Sequence, residues 1–494
     1  MRSIPPFTPS EAVAALCLRL DSLPLALELA AARTALFSPT QLLERLSQRL
    51  DLLKGERDAD PRQQTLRATI QWSYELLSED EQRLFARLSV FAGGCTYEAA
   101  EEVCDADPDT LQSLLDKSLL RKRETGLVPR YWMLETIREY AVERLEDSGE
   151  ADELRRRHAE YFLALAEEIE PHLRGDPKEW LDRLELEHDN VRAALDYFQA
   201  TDDRQLTLRL AAAVWRFWSL RGHNSEGRRR VDDALARRSE PSIARGAALN
   251  AATSFALSLG DHVVAKRRAE EAMEIHGRVD DPWGAASSVL LQGMVAADEP
   301  DWVEARRFFE DGLRRFDELA DDHGILLATR VLAWALYELG DRPGARALHE
   351  SNLDRARASG NVRLTADITS ALASYDLDDT DARAAAARLP EALVAHLEVG
   401  DQAQLGVDLT RAARTNALVG DLATTARLLG RVDSLYEQLI VTTPSWSVYE
   451  YEEAESAARA GLDPADWESL TAAGQAMSLD EAVALALESL GKIQ

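Results

Sequence analysis

The chain has 494 residues, 46% of them hydrophobic and only 6% aromatic, with a formal net charge of −30 at pH 7. This length admits two or three domains, the alanine- and leucine-rich composition fits packed helices, and the acidity argues against a dominant nucleic-acid surface, which needs clustered lysine and arginine. Cys17, Cys95 and Cys104 are scattered without a CxxC, no run approaches the roughly 18 apolar residues of a membrane span, and the start lacks a signal peptide's apolar core, so a soluble cytoplasmic protein without disulfides or membrane contact is expected.

Thr8-Pro-Ser-Glu11 is a capping box with proline at the first helical position and predicts a helix through Leu20. A second short helix follows from Leu23-Pro24, where a proline near a helix start is tolerated. Another capping box, Ser78-Glu-Asp-Glu81, predicts a helix to about Val90 that stops at Gly93-Gly94. Helices over Thr96–Val103 and Asp109–Leu119 come next. Strands over Leu119–Arg123 and Val128–Met133 then flank the turn Glu124-Thr-Gly126, and a helix over Thr136–Glu146 closes a winged-helix shape. Residues 72–146 carry nine Lys and Arg against sixteen Asp and Glu, and the helix that would read DNA offers Asp109 and Asp116 against Lys117 alone. DNA binding by this module on its own is therefore not expected, and Arg121, Lys122 and Arg123 read as a solvated strand.

Helices over Asp152–Glu168, Lys178–Gln199, Arg204–Arg221 and Glu226–Arg237 lead into the second half. Trp215, Phe217 and Trp218 cluster on one of them, as core packing or as the wall of a partner pocket; Arg228-Arg-Arg230 reads as a solvated charge run. Aspartates then stand at 261, 301, 341, 381 and 421, one every forty residues. Four residues after them come Ala265, Ala305, Ala345, Ala385 and Thr425; eight before them come Thr253, Gly293, Ala333, Ala373 and Ala413. Gly260, Gly340 and Gly420 precede three of the five. Each unit reads as helix, Gly-Asp turn, helix: the glycine closes the first helix in a left-handed conformation, and the aspartate caps the second. Asp301-Trp-Val-Glu304 adds a capping-box-like glutamate. Units of this kind resemble tetratricopeptide repeats lengthened beyond their usual size, in preference to HEAT or armadillo repeats. Thr442-Thr-Pro-Ser445 ends the array, and helices over Tyr449–Gly461, Ala465–Met477 and Ser478–Leu490 would cap it.

Five blocks carry a more specific likeness: Leu23-Pro-Leu-Ala-Leu-Glu-Leu-Ala-Ala-Ala-Arg33, Arg62 to Leu77, Leu88-Ser-Val-Phe-Ala-Gly-Gly94, Met133 to Ala141, and Glu187-His-Asp-Asn-Val-Arg-Ala-Ala-Leu195. In that order they resemble the segment following the nucleotide-binding core of STAND-class (NB-ARC-like) signal-transduction ATPases, in the branch of large LuxR-type and antibiotic-regulatory transcriptional activators. The resemblance implies a chain order of NTPase core, helical subdomain, winged helix and sensor repeats, with this sequence corresponding to the part after the core. It would make Pro24 an adenine contact, a vestigial one because no GxxxxGK[ST] phosphate loop occurs and Ser22 replaces the usual preceding glycine. The family's Met-His-Asp sensor would fall on Met133-Leu134-Glu135, with leucine in place of histidine.

The expected fold is all-α: a helical subdomain (residues 1–70), a winged helix with a small β-hairpin (71–148), irregular helical repeats (149–240), five forty-residue repeats forming a tetratricopeptide-like α-solenoid (241–440) and capping helices (441–494). No catalytic residue, metal site or cofactor is expected, since no HExxH, GxSxG, GxGxxG or His/Cys zinc spacing occurs. Arg330, Trp334 and Tyr337 fall on a helix lining the concave groove and are the candidate contacts for a protein or peptide partner or a small-molecule effector, with Trp334 equally placed to be inter-repeat core. The expected function is a non-catalytic signalling or transcriptional-regulator segment whose winged helix packs within its own chain. The alternatives are a DNA-binding factor and one piece of an ATPase with its core elsewhere.

Overall fold

The computed structural model describes residues 11–20, 24–34, 36–44, 61–124, 126, 128–237, 240–442 and 447–493. Its contacts form two units, Met1–Ala164 with Leu186–Tyr197, and Leu165–Glu185 with Phe198–Gln494. The expected capping box at Thr8, together with Ser22, Thr125 and most of the Thr442–Ser445 break, lies outside the described residues.

In the first unit, α1 (Glu11–Arg19), α2 (Pro24–Ala32) and α3 (Pro61–Glu75) precede the winged helix. Leu16, Leu20, Ala26, Ala30, Leu42 and Trp72 form an apolar cluster among them. The Ser78 hydroxyl accepts the Glu81 N–H at 3.3 Å and the Glu81 carboxylate accepts the Ser78 N–H at 2.8 Å, so the capping box starts α4 (Glu79–Arg87) as read. Thr96 caps α5 (Tyr97–Cys104) and Asp107 caps α6 (Pro108–Asp116). Helix α6 stops short of the expected Leu119 because Ser118 turns to φ +57° and the Leu119 N–H bonds back to the Leu114 carbonyl. The wing is an antiparallel pair, β1 (Arg121–Glu124) and β2 (Pro129–Trp132), with Arg121 opposite Trp132. Helices α7 (Glu135–Ser148), α8 (Ala151–Ile169) and α9 (Lys178–Ala200) follow.

The second unit is built from helix pairs: α10 (Arg204–Leu220) with α11 (Asn224–Ala236), α12 (Ile243–Ser258) with α13 (His262–Arg278), α14 (Pro282–Asp298) with α15 (Trp302–Glu318), α16 (Asp322–Glu338) with α17 (Arg342–Ala358), α18 (Val362–Asp378) with α19 (Ala382–Val399), and α20 (Gln402–Val419) with α21 (Leu422–Leu439). Then come α22 (Val448–Gly461), α23 (Pro464–Gln475) and α24 (Leu479–Gly491). This is the all-α, tetratricopeptide-like solenoid that the sequence predicts.

The aspartate register is a register of caps. Asp261, Asp301, Asp341, Asp381 and Asp421 each accept the backbone N–H three residues on, at 2.9–3.3 Å, and so start the second helix of a pair. The first helices are capped the same way by Asp281, Asp321, Asn361 and Asp401, at 2.6–3.3 Å. The true beat is thus twenty residues, and the forty-residue reading caught every second cap. Ala265, Ala305, Ala345, Ala385 and Thr425 are all fully buried, as are Thr253, Ala333, Ala373 and Ala413. Any larger side chain in these columns would push neighbouring helices apart.

The expected capping-box partner at Glu304 is not formed: the Asp301 N–H already bonds the Ala296 carbonyl at 2.9 Å, and the Glu304 carboxylate pairs with Arg307 at 2.6 Å. The residue before each cap is left-handed whether or not it is glycine. Gly260, Gly340 and Gly420 take φ of +70°, +92° and +86°, while Ala320 and Thr380 take +51° and +58°. A β-branched residue is strained there. Thr380→Gly is therefore expected to stabilise the chain by about 0.5–1 kcal/mol, after the entropy glycine adds to the unfolded state; a urea midpoint that stayed the same or fell would contradict this.

Candidate functional site: the interior of the solenoid

Winding of the array brings its first helices against its last. The Thr442 N–H donates to the Ser258 carbonyl at 3.3 Å, and the Asn361 side-chain amide donates to the Arg174 carbonyl at 3.0 Å. A Cβ on Gly222 would stand 2.7 Å from Leu439, and one on Gly400 would stand 3.3 Å from Arg221. What a tetratricopeptide array usually leaves as an open groove is here a channel of three adjoining chambers with wall residues in common, of about 870, 630 and 220 Å³. Met294 borders all three. The first helix of each pair supplies most of the wall: Ser254 from α12, Leu291 from α14, Arg330 and Trp334 from α16, Arg363 from α18 and Gln404 from α20.

The three residues expected to meet a partner do line one chamber together, the smallest, but they are not equivalent. The Tyr337 ring stacks on Tyr375 at 4.1 Å, its hydroxyl donates to Asp378, and the Arg342 guanidinium lies over the ring at 5.0 Å. Trp334 packs edge-on against Trp302 at 4.6 Å, and its indole N–H donates to Glu338 at 3.3 Å. Both aromatic groups thus join one repeat to the next. Arg330 contributes its backbone carbonyl to the ring N–H of His349, at 3.1 Å, while its guanidinium faces the channel.

One end of the channel is closed by α22. Glu450, fully buried, accepts from the Arg411 Nε–H at 3.1 Å to each oxygen and from the Ser374 hydroxyl at 2.5 Å. Its neighbour Tyr449 lines the smallest chamber. Behind the wall, the fully buried His396 lies 2.6 Å from Asp408 and 3.3 Å from Asp367. Burial pulls the imidazole down, but the two carboxylates override it and lift His396 to about 10.

Phe217 and Trp218 are core, whereas Trp215 lines the largest chamber, so the two readings of that cluster divide between its members. The Arg228–Arg230 run is not uniformly solvated. Arg229 is exposed, but Arg228 reaches Asp261 at 3.2 Å and Arg230 is buried, because their helix packs into the array.

In the first unit, Pro24 stands exposed as the opening residue of α2. Helix α6 exposes Asp109, Gln112 and Asp116, while Lys117 is drawn to Glu81. On the wing, Arg121 pairs with Glu28, and Lys122 with Glu124 at 3.1 Å. Two of the family-like blocks meet directly: Asn190 accepts the Ala92 N–H at 2.9 Å and donates to the Gly94 carbonyl at 2.9 Å, and Arg130 pairs with the buried Glu187 while donating to the Gly93 and Gly94 carbonyls. Gly94 has φ +80°, and a Cβ there would lie 2.5 Å from the Tyr131 carbonyl. These residues form a clamp that fixes the Gly93-Gly94 turn.

That winged-helix order has a counterpart among known families. Residues 77–146 match the winged helix-turn-helix domain. A candidate HTH-type transcriptional regulator of Mycobacterium tuberculosis strain H37Rv is 42% identical over 224 residues, covering 44% of this chain and 25% of the relative. An uncharacterized protein of the same strain is 40% identical over 159 residues, covering 30% of this chain and 40% of the relative. The chain thus spans about a quarter of the length of the first relative and two fifths of the second. Among solved structures, a STAND protein with a tetratricopeptide repeat sensor from Pyrococcus horikoshii aligns with 95% of this chain and 74% of its own, at 15% identity and a TM-score of 0.47. Aspartyl phosphate phosphatase F from Bacillus subtilis aligns with 88% and 98%, at 12% identity and a TM-score of 0.45. Among the described residues, no helix is long and apolar enough to cross a membrane.

Proposed function

We propose that this chain is the winged-helix and repeat portion of a STAND-type transcriptional regulator of the large LuxR-like branch, without catalytic chemistry of its own. Its solenoid receives a ligand or peptide, and its winged helix packs inside the chain rather than on DNA. The observation that carries this reading is the channel itself: about 870 Å³ in the largest chamber, walled by Trp215, Trp283 and Leu290 with a few convergent polar groups, which is the constitution of a ligand site. The winged helix-turn-helix match and the relatedness to candidate regulators support the regulatory context. The acidic outer face of α6 weighs against phosphate contact.

Two measurements test it. Fluorescence anisotropy of a labelled duplex at low salt is expected to stay flat; a salt-sensitive rise would favour the DNA-binding alternative. Native mass spectrometry of the chain incubated with a filtered bacterial extract of small molecules and peptides is expected to reveal a non-covalent adduct, absent from Leu291→Trp, which fills the channel. An adduct unaffected by that substitution, or none at all, would count against the channel as the receiving site.

A further inference from the structure

The largest chamber holds cations that no carboxylate of the protein contacts directly. Arg216 and Arg330 both line it, and among the described residues neither guanidinium forms a hydrogen bond or ion pair. This occurs in a chain with 87 acidic residues against 57 basic ones. The carboxylates of the same chamber are committed elsewhere. Glu167 pairs bidentately with Arg209 at 2.7 Å, Glu170 with Arg174 at 2.8 Å, and Asp281 with His276 at 2.9 Å while capping α14. Beyond Arg330, Asp401 is taken by Arg363 at 3.1 Å, and Asp367 by His396 and by the Gln404 amide at 2.9 Å.

The cations are also held in place and crowd one another. Arg216 lies over the Trp215 ring at 4.7 Å, and Arg174 over Trp283 at 4.0 Å, so indole faces fix the planes of two guanidinium groups. Burial, reinforced by Arg174 and Arg363 and only partly opposed by Glu170, brings Arg216 down to about 10. Burial and the repulsion of Arg216, Arg174 and Arg363 hold His323, in the same wall, down to about 3. His323 is therefore neutral, and its Nδ1 accepts from the Asn361 amide at 3.3 Å. Cations without counter-ions are costly in such surroundings unless something else neutralises them.

We infer that Arg216 and Arg330 are the anion-recognising positions of the channel, and that its ligand is a small molecule with an apolar body and a single acidic head group, a carboxylate or a phosphate. Trp215, Trp283, Leu290 and Leu291 would take the apolar body, and one of the two guanidinium groups would take the head group in charge-assisted hydrogen bonds. The inference rests on the channel being a ligand site, as proposed above.

Phenyl phosphate, benzoate and benzyl alcohol, titrated at constant ionic strength and followed by tryptophan fluorescence and melting temperature, test it on the whole chain. The anions are expected to bind and the alcohol to bind weakly or not at all; whichever anion binds more tightly identifies the head group. At least one of Arg216→Gln and Arg330→Gln should weaken anion binding about 10- to 100-fold, the worth of a hydrogen bond to a charged group. Without anion, Arg216→Gln should melt at or above the wild-type temperature, since it removes a buried cation with no hydrogen-bonded counter-ion. Equal binding of the alcohol would overturn the acidic head group, and anion binding that survives both substitutions would overturn the assignment to Arg216 and Arg330; either result leaves the channel as a ligand site. No binding of any probe, together with no channel-dependent adduct in native mass spectrometry, would overturn both.

Discussion

Glu450→Ala is expected to cost about 3–5 kcal/mol of folding free energy, the usual loss when one partner of a buried ion pair is removed. The carboxylate is fully buried, and its removal leaves the Arg411 guanidinium with only the Ser370 hydroxyl, at 2.8 Å, as an identified hydrogen-bond acceptor. It also strips the Ser374 hydroxyl of an acceptor and weakens the neighbourhood of Arg414, which bridges Asp378 at 2.8 Å and Glu453 at 2.5 Å. Glu450→Gln, which keeps an acceptor oxygen and the shape, should cost distinctly less. Urea denaturation of the three proteins measures both numbers; an alanine variant within about 1 kcal/mol of wild type would mean that α22 is not held by this pair. Because Tyr449 on the same turn closes the smallest chamber, the alanine variant should also admit larger ligands.

His396→Gln is expected to cost about 3 kcal/mol at pH 7 and progressively less towards pH 10. The sign follows from the direction of the shift. The folded imidazole titrates near 10 against an ordinary 6.5, so the protonated ring contributes its full stabilisation below about pH 6.5, and that contribution disappears as pH rises through 10. Asp367 behaves in the opposite sense: although burial pushes it up, Arg363, His396 and Arg330 hold it well below the usual carboxylate range. Its share is present above the unfolded carboxylate pKa and fades in acid. Denaturation curves at several pH values, taken as the difference between wild type and variant so that other titrating groups cancel, check this. A difference that stayed constant from pH 7 to 10 would mean that the ring is not charged in the fold.

The caps were legible in the sequence because they are local: an Asp or Asn three residues before the N–H it accepts needs no tertiary information. The winged helix was legible for the same reason, through the capping box at Ser78 and the glycine in its wing turn. Half of the register escaped notice because Asn361 breaks the run of aspartates and because Asp280 and Ala320 stand where glycine is the usual signal. The channel depends on contacts far apart in sequence, such as Thr442 with Ser258 and Asn361 with Arg174, and no periodicity encodes those. Arg330 was found by its place on a groove-lining helix. Arg216 carries no such mark, since nothing in a linear pattern shows that an arginine lacks a counter-ion. Trp334 and Tyr337 line the chamber wall, with their side chains engaged across repeats.

Solenoids usually grow or shrink by whole units at little cost, since each repeat touches only its neighbours. Here the last pair also touches the first, with Leu439 set against Gly222 and Thr442 hydrogen-bonded to Ser258. An extra forty-residue unit would keep every cap in phase and yet part that seam, and a missing one would drive its two sides into each other. Repeat number in this protein is therefore a dimension of the channel, fixed by closure, and a change in its width would have to come from the side chains on the inner wall.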